Sequence, residues 1–307
     1  MKICVIGSIN YDEIIMPNSE KSEGLGGVIY NILPLSFLFK ENITIYPVTE
    51  IGEDRLEDLF NILKPYKNVD VTGIKINPEG TNQTQLFYRR GGQRDEILNI
   101  RSKQITYEDV KPYLDAHIIL INFITGMDLT LETIKKIREN SEGLIILDVH
   151  SLSLGIDSKG KRYPHPIKNW HRWVENFDVI QVNKHELNML VNKMVRFRKR
   201  DFMKVATKIL KQGPRILLVT YGARGARVVY RGEDEYHYKL VRSIPIRAQI
   251  SPTGCGDVFT AGFIYGYVKY KDIPLATKVA TSVASLKCSS KTWSEFFEKL
   301  ILDTAIN

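Results

Sequence analysis

No apolar run in the sequence approaches the ~18 residues that a membrane-spanning helix requires. The opening Met1-Lys2-Ile3-Cys4-Val5-Ile6-Gly7 runs straight into a strand-like stretch, too short and too lightly flanked for a secretory signal. Cysteine is scarce. Cys4, Cys255 and Cys288 are scattered, odd in number and without CxxC spacing, which reads as small buried or half-buried residues of a cytoplasmic protein. Cys255 stands apart from the other two, because a thiol at a helix start can have a lowered pKa. Several motifs of phosphate and metal chemistry are also missing. There is no GxxxxGK[ST], and Gly254-Cys255-Gly256 is followed by Phe259 instead of a third glycine. His185-Glu186 continues as Leu187-Asn188-Met189, so HExxH fails, and neither HRD nor DFG occurs. No internal repeat, low-complexity tract or clear linker divides the chain.

What remains is 307 residues of ordinary globular composition, 43% hydrophobic and 25% charged. The net charge of +8 favours acidic partners. Its densest basic run, Arg196-Phe197-Arg198-Lys199-Arg200 after Lys193, reads as a solvated face. No RNP-type, zinc-finger or helix-turn-helix pattern accompanies it, so neither nucleic acid nor membrane is expected as a partner.

Short β-branched runs at Ile3–Ile9, Ile43–Val48, His117–Phe123, Leu144–Val149, Val179–Asn183 and Ile216–Thr220 have the continuous apolar character of strands buried on both faces. Helical patterns at Arg55–Leu63, Leu129–Arg138, Pro166–Val174 and Phe202–Leu210 fall between several of them, and Cys255–Tyr270, Leu275–Cys288 and Trp293–Thr304 close the chain. This alternation predicts an α/β fold with a mostly parallel central sheet and helices on both faces. Residues 11–16 and 81–98 break the rhythm with strand-like pieces and polar punctuation, and read as a small β lid on a single domain, with a turn at residues 90–93. In an open parallel sheet, ligands bind beyond the carboxyl ends of the strands.

The most informative segment is Ser251-Pro252-Thr253-Gly254-Cys255-Gly256-Asp257, where small residues open a long apolar helix. Glycines let backbone approach a ligand, and the free N–H groups of a first helical turn form an anion site. Asp257 has two readings there. It is either a helix-capping acid, or a base that takes a proton from an attacking hydroxyl while the amides of Gly254, Cys255 and Gly256 hold a phosphoryl group.

With these residues in view, the sequence resembles the PfkB/ribokinase family of carbohydrate kinases from Ile3 to about Ser285. S-P-T-G-C-G-D resembles the family's D-[ST]-x-G-A-G-D; Gly7-Ser8-Ile9-Asn10-Tyr11-Asp12 its opening G-x-x-x-x-D; and Gly26-Gly27-Val28-Ile29-Tyr30-Asn31 its sugar-binding GG-x-x-x-N. Asn183-Lys184-His185-Glu186 resembles N-x-x-E, and Thr220-Tyr221-Gly222-Ala223-Arg224-Gly225 resembles the nucleotide loop T-x-G-x-x-G. Taken alone, the last two read equally as a capping-box helix start and a turn between strands. The resemblance implies a ribokinase-like fold and transfer of the γ-phosphoryl group of ATP to a hydroxyl of a sugar-like molecule. It makes Asp257 the base; Asn10, Asp12, Gly26, Gly27 and Asn31 the substrate contacts; Asn183, Thr220, Gly222 and Gly225 the ATP contacts; and Glu186 the residue associated with Mg²⁺. Arg89, beside Tyr88 in the lid, resembles an arginine of members that take acidic sugars. Ser251 and Pro252 stand where the family has Asp and Ser/Thr, an aspartate tied in some members to a monovalent cation. Val28 and Ile29 stand where ribokinase proper has Lys and Gly. A nucleoside kinase and a non-catalytic ligand-binding regulator are the alternatives, and the lid is a candidate homodimer surface.

Overall fold

The computed structural model describes residues 1–89, 94–246 and 250–302. In chain order the elements begin with β1 (Lys2–Ile6), β2 (Asn10–Ile15), β3 (Lys21–Leu25), α1 (Ile29–Phe39), β4 (Thr44–Gly52) and α2 (Leu56–Leu63). Next come β5 (Ile74–Asn77), β6 (Asn82–Tyr88), β7 (Arg94–Asn99), α3 (Tyr107–Val110), β8 (Ile118–Asn122), α4 (Leu131–Asn140) and β9 (Leu144–Asp148). The hairpin of β10 (Leu154–Ile156) and β11 (Arg162–Pro164) precedes α5 (Trp170–Val174), β12 (Val179–Asn183), α6 (Lys184–Leu190), α7 (Lys199–Leu210) and β13 (Ile216–Thr220). The chain closes with β14 (Ala226–Arg231), β15 (Tyr236–Val241), α8 (Cys255–Tyr270), α9 (Ile273–Cys288) and α10 (Trp293–Leu302).

Nine strands form the main sheet in the order β15-β14-β13-β12-β9-β8-β1-β4-β5. From β13 to β5 the pairings are parallel, and β14 and β15 add an antiparallel edge. Every residue of β8 is buried, which its sequence Ile-Ile-Leu-Ile-Asn dictates for a strand covered on both faces. Two cores result. One packs α1, α8, α9 and α10 on one face around Phe259, Phe263 and Val283. The other packs α4, α6 and α7 on the opposite face around Ile137, Leu187 and Phe202. The expected strands and late helices are all present, within a few residues at most boundaries. The expected continuation of the last helix to Thr304 lies outside the described residues, as does the expected turn at 90–93.

A second sheet of four strands, β3-β2-β6-β7, stands apart from the main one. The expected lid segments supply β2, β6 and β7, and β3 is added by the antiparallel return of Lys21–Leu25 onto β2. Helices α8 and α9 lie unusually close. A Cβ placed on Gly262 would come within 3.0 Å of the Ala280 Cα, and one on Gly266 within 2.8 Å of the Ala276 Cα. That close antiparallel crossing brings the start of α8 to the end of α9, where Cys255 and Cys288 form a disulfide with a Cα–Cα distance of 5.9 Å. This corrects the sequence reading of three independent cysteines and of a free thiol at Cys255. A separation of 33 residues carries no pairing signal until the helical hairpin folds back. Cys4 stays free and buried.

Candidate active site

Strand β1 delivers the chain to its carboxyl end, where Gly7–Asn10 turn into the second sheet. Asn10 and Asp12 then face a cleft together with Thr84 and Leu86 of β6 and Arg94 and Glu96 of β7. Both Asn10 and Asp12 are buried. Asn10 Nδ2 donates to Thr84 Oγ1 at 3.1 Å, while Asn10 Oδ1 is buried with no partner, an acceptor left for a hydroxyl. Burial pushes the Asp12 carboxyl up to about 7, with the Glu96 carboxylate adding to it and a hydrogen bond from Thr84 opposing it. Gly26 and Gly27 close this corner from behind. A Cβ on Gly26 would overlap Asp12 Oδ2 at 1.9 Å, and one on Gly27 the Ser8 carbonyl at 2.2 Å. Gly27 lines the cleft; Gly26 makes room for Asp12 instead.

Asp257 enters the same cleft from the first turn of α8. Its Oδ1 accepts from Asn122 Nδ2 at 2.8 Å, and Asn122, at the carboxyl end of β8, also donates to Asn31 Oδ1 at 2.9 Å. Asn31 in turn donates to the Asp257 carbonyl at 2.8 Å. Asn31 is therefore wholly buried and ties α1 to α8 instead of lining the cleft, a correction to its expected place. Gly254 caps α8 in the left-handed region at φ 76°, and a Cβ there would strike the Tyr30 ring at 2.1 Å, so only glycine fits. At Gly256 an added Cβ meets nothing within 4 Å. That position opens onto free space beside the unpaired N–H groups of a helix N-terminus.

On its other side, the start of α8 borders a second cavity of about 430 Å³. Cys255 and Gly256 form one end, Thr220, Gly222 and Gly225 another, and Ile244, Ile246, Phe259, Ala284 and Cys288 an apolar wall. The Thr220–Gly225 loop is the β13–β14 turn, so the turn and the cavity wall are one object. Asn183 and Glu186 line neither cavity. They form the capping box of α6: Asn183 Oδ1 accepts from the backbone N–H groups of His185 and Glu186, and Glu186 Oε2 accepts from Asn183 N at 2.7 Å. Burial pushes the Glu186 carboxyl up to about 7, opposed by nearby His150 and added to by Asp257. Asp148, which accepts from Thr260 Oγ1 at 2.8 Å, is raised by burial and then by Asp257 and Glu186. Among the described residues no group of three or more His, Cys, Asp or Glu side chains is gathered as a metal cage.

Arg89 does not reach the cleft. Its side chain is 65% exposed and pairs with Asp95. The arginine that lines the cleft is Arg94, on the next strand, held to Glu96 at 2.8 Å. The sequence reading also missed Asn122, Thr84 and Lys287. Asn122 was open to detection as the polar end of a buried strand. Lys287 was not, because it is buried only where α1, α10 and the turn before α8 meet the end of α9. Its ammonium sits 3.4 Å from the Thr253 carbonyl and within 5.3 and 5.5 Å of the Tyr30 and Trp293 rings, and burial lowers its pKa to about 8, with Asp257 opposing.

Comparison with known proteins agrees with this architecture. Residues 2–299 match the sequence profile of the pfkB family carbohydrate kinases. A cytidine kinase of Thermococcus kodakarensis is 23% identical over 301 residues, covering 96% of this chain and 98% of that protein. A pyrophosphate-dependent kinase of the ribokinase family, solved with a pyrophosphate analogue and myo-inositol, superposes with a TM-score of 0.76 at 20% identity, covering 97% of this chain and 99% of that one. Arabidopsis thaliana ribokinase, solved with ribose and ATP, gives 0.73 at 20% identity, covering 99% and 98%. The chain belongs to the pfkB family of carbohydrate kinases and has the ribokinase fold.

Proposed function

We propose that this kinase transfers the γ-phosphoryl group of ATP to a hydroxyl of a neutral, sugar-like polyol, with Asp257 as the base. The observation that carries the reading is the position of the first turn of α8 between two unlike cavities. On one side is a small polar cleft containing Asp257; on the other is a larger apolar cavity that Gly256 also lines. A phosphoryl group held by the α8 amides would lie where donor and acceptor meet. The apolar wall of Ile244, Ile246, Phe259 and Ala284 suits a purine base, which favours a nucleotide donor over pyrophosphate.

The acceptor cleft argues for a neutral substrate. Three carboxylates, Asp12, Glu96 and Asp257, line it, and the one arginine there already pairs with Glu96. An anionic sugar would meet net repulsion. Asn10 Oδ1 and Asp12 supply acceptors for hydroxyl protons, and Asp257, oriented by Asn122, takes the proton of the attacking hydroxyl as the phosphoryl group transfers. The space between these groups is about 40 Å³, enough for water but not for a sugar. We infer that the four-stranded sheet is a lid that opens to admit substrate and then excludes water.

The raised carboxyls of Asp148 and Glu186 beside Asp257 are short of countercharge, which fits a divalent cation nearby. Glu186, with Asn183, would hold Mg²⁺, which neutralises phosphate charge when bound. Nucleoside substrates remain a second reading, favoured by Tyr30 against Gly254 and Tyr88 against Thr253 and by the similarity to a cytidine kinase. ADP release measured over neutral sugars, cyclitols, sugar acids and nucleosides separates the readings. Asp257→Asn should keep ATP affinity and lower kcat by on the order of 10²-fold or more; near-normal turnover removes Asp257 as base.

A further inference from the structure

The basic surface left unused by phosphoryl transfer gathers around the β13–β14 turn. Along β14 the side chains alternate. Ala226 and Val228 join the core beneath α8 and α9, whereas Val229 joins the core beneath α6 and α7. Arg227 shares the second direction, because its guanidinium carbon stands 5.1 Å from the ring centre of Phe202 in α7. On that face lies a cavity of about 580 Å³, lined by Lys184, Phe197, Tyr221, Arg224, Arg227 and Arg242. Phe197 comes from the basic run at 196–200 that the sequence marks out.

The lining has four cations and no acidic side chain. None of the four forms an ion pair among the described residues. Arg227 is fixed by cation–π contacts at 5.0 Å to Tyr221 and 5.9 Å to Phe197, so it is held on the wall and does not sweep through solvent. Its Nη1 is nevertheless buried without a hydrogen-bond partner, and so is the Tyr221 hydroxyl. Clustered like charges cost stability, and a bound anion offsets that cost.

We propose that this cavity is a second ligand site, separate from the donor and acceptor cavities, and that it takes a phosphomonoester dianion carried by a small molecule. Guanidinium forks match phosphate oxygens in a way that a point charge does not. The Phe197 and Tyr221 rings offer an apolar wall for whatever carries the phosphate. The cations line a concavity, which suits one compact anion better than the long backbone of a nucleic acid. Ala223, Ser243 and Pro245 line both this cavity and the apolar donor cavity, so the two sites share a wall across the sheet edge. Any change that occupancy of one makes in affinity at the other is matched in reverse by the same factor. The binding inference stands whether or not the phosphotransferase reading does.

The test is calorimetric titration of the full chain with inorganic phosphate and with phenyl phosphate, in saturating Mg²⁺ and a non-hydrolysable ATP analogue to fill the donor cavity. One additional site is expected, tighter for phenyl phosphate and weakened by added salt. Arg227→Met and Arg242→Ala should each weaken it by about tenfold. Arg242 is exposed, so its replacement keeps the test intact if Arg227→Met fails to fold. Arg200→Ala, an exposed arginine of α7 outside the cavity, should leave binding unchanged. Absence of a site beyond the nucleotide's, or binding that survives both cavity variants, or equal loss in Arg200→Ala, overturns the proposal.

Discussion

Asp12→Asn should stabilise the ligand-free protein at pH 8 while disabling it. Asp12 is 7% exposed, and its carboxyl is pushed from 3.8 up to about 7, first by burial and then by the Glu96 carboxylate. Between those two values the native state binds a proton that the unfolded chain has lost. Stability therefore falls as pH rises through this window, and the loss is complete above about 7. At 1.36 kcal/mol per tenfold change in proton affinity, the penalty at pH 8 is ~4 kcal/mol at most. An amide of the same shape carries no such penalty and can still bond Thr84. Thermal unfolding at half-unit steps from pH 4 to 8 should show the two proteins nearly equal at the acid end. The variant should then pull ahead by several degrees at pH 8. Glu96→Gln removes the second cause, so it should move the wild-type decline to lower pH without abolishing it. If Asp12→Asn and wild type run parallel across the range, Asp12 is not a buried charge in the free protein, and the account of the cleft as a store of unmet acceptors fails.

Other predictions follow from the same geometry. Gly256→Ala places its methyl in open space, so the melting temperature should hold or rise slightly, since alanine favours helix by about 0.5–1 kcal/mol. Its kcat should nevertheless fall at least about tenfold, because that space is the proposed phosphoryl site; unimpaired turnover would place the anion elsewhere. Lys287 loses its charge near pH 8, so kcat/KM should decline above that pH, and Lys287→Met should be less active and lack the decline. A basic limb that persists in Lys287→Met would assign it to another group. Reduction should raise the thiols reactive under denaturing conditions from one to three, and a bound ATP analogue should slow alkylation of reduced, folded protein at Cys255 and Cys288, which line the donor cavity. Equal alkylation rates with and without nucleotide would remove the cavity from the donor path.

How far the sequence reaches is set by what kind of physics each residue obeys. The parallel sheet was legible because a strand covered on both faces must be largely apolar, as β8 is up to its terminal Asn122 and β12 is apart from Gln181 and its terminal Asn183. The glycine turn that opens α8 was legible because Gly254 and Gly256 answer a local demand, one for a left-handed cap and one for open space at a helix end. Asn31 misled for the opposite reason. Its type says that it bonds on both sides, but not with what. Only the meeting of α1, β8 and α8 hands both its groups to Asn122 and Asp257. Asn183 and Glu186 show that two readings of one motif need not compete. The capping box that starts α6 also fixes a carboxyl near Asp257, and Glu186 is charged there only against the cost of its burial.

The lid marks the sharpest limit. Arg89 and Arg94 are both arginines of β strands or their ends, and nothing local distinguishes them. The register of β7 against β6 sets Tyr88 opposite Arg94, so Arg94 lines the cleft while Arg89 lies beyond the last pair and meets Asp95 in solvent. Because a one-residue slip exchanges the two faces of a strand, which arginine lines the cleft is decided by register, which composition does not record. The consequence is specific to this chain. The arginine that lines the cleft is already paired with Glu96, so the cleft is acidic despite a protein of net charge +8. The uncompensated positive charge lies instead across the sheet edge, around Arg227.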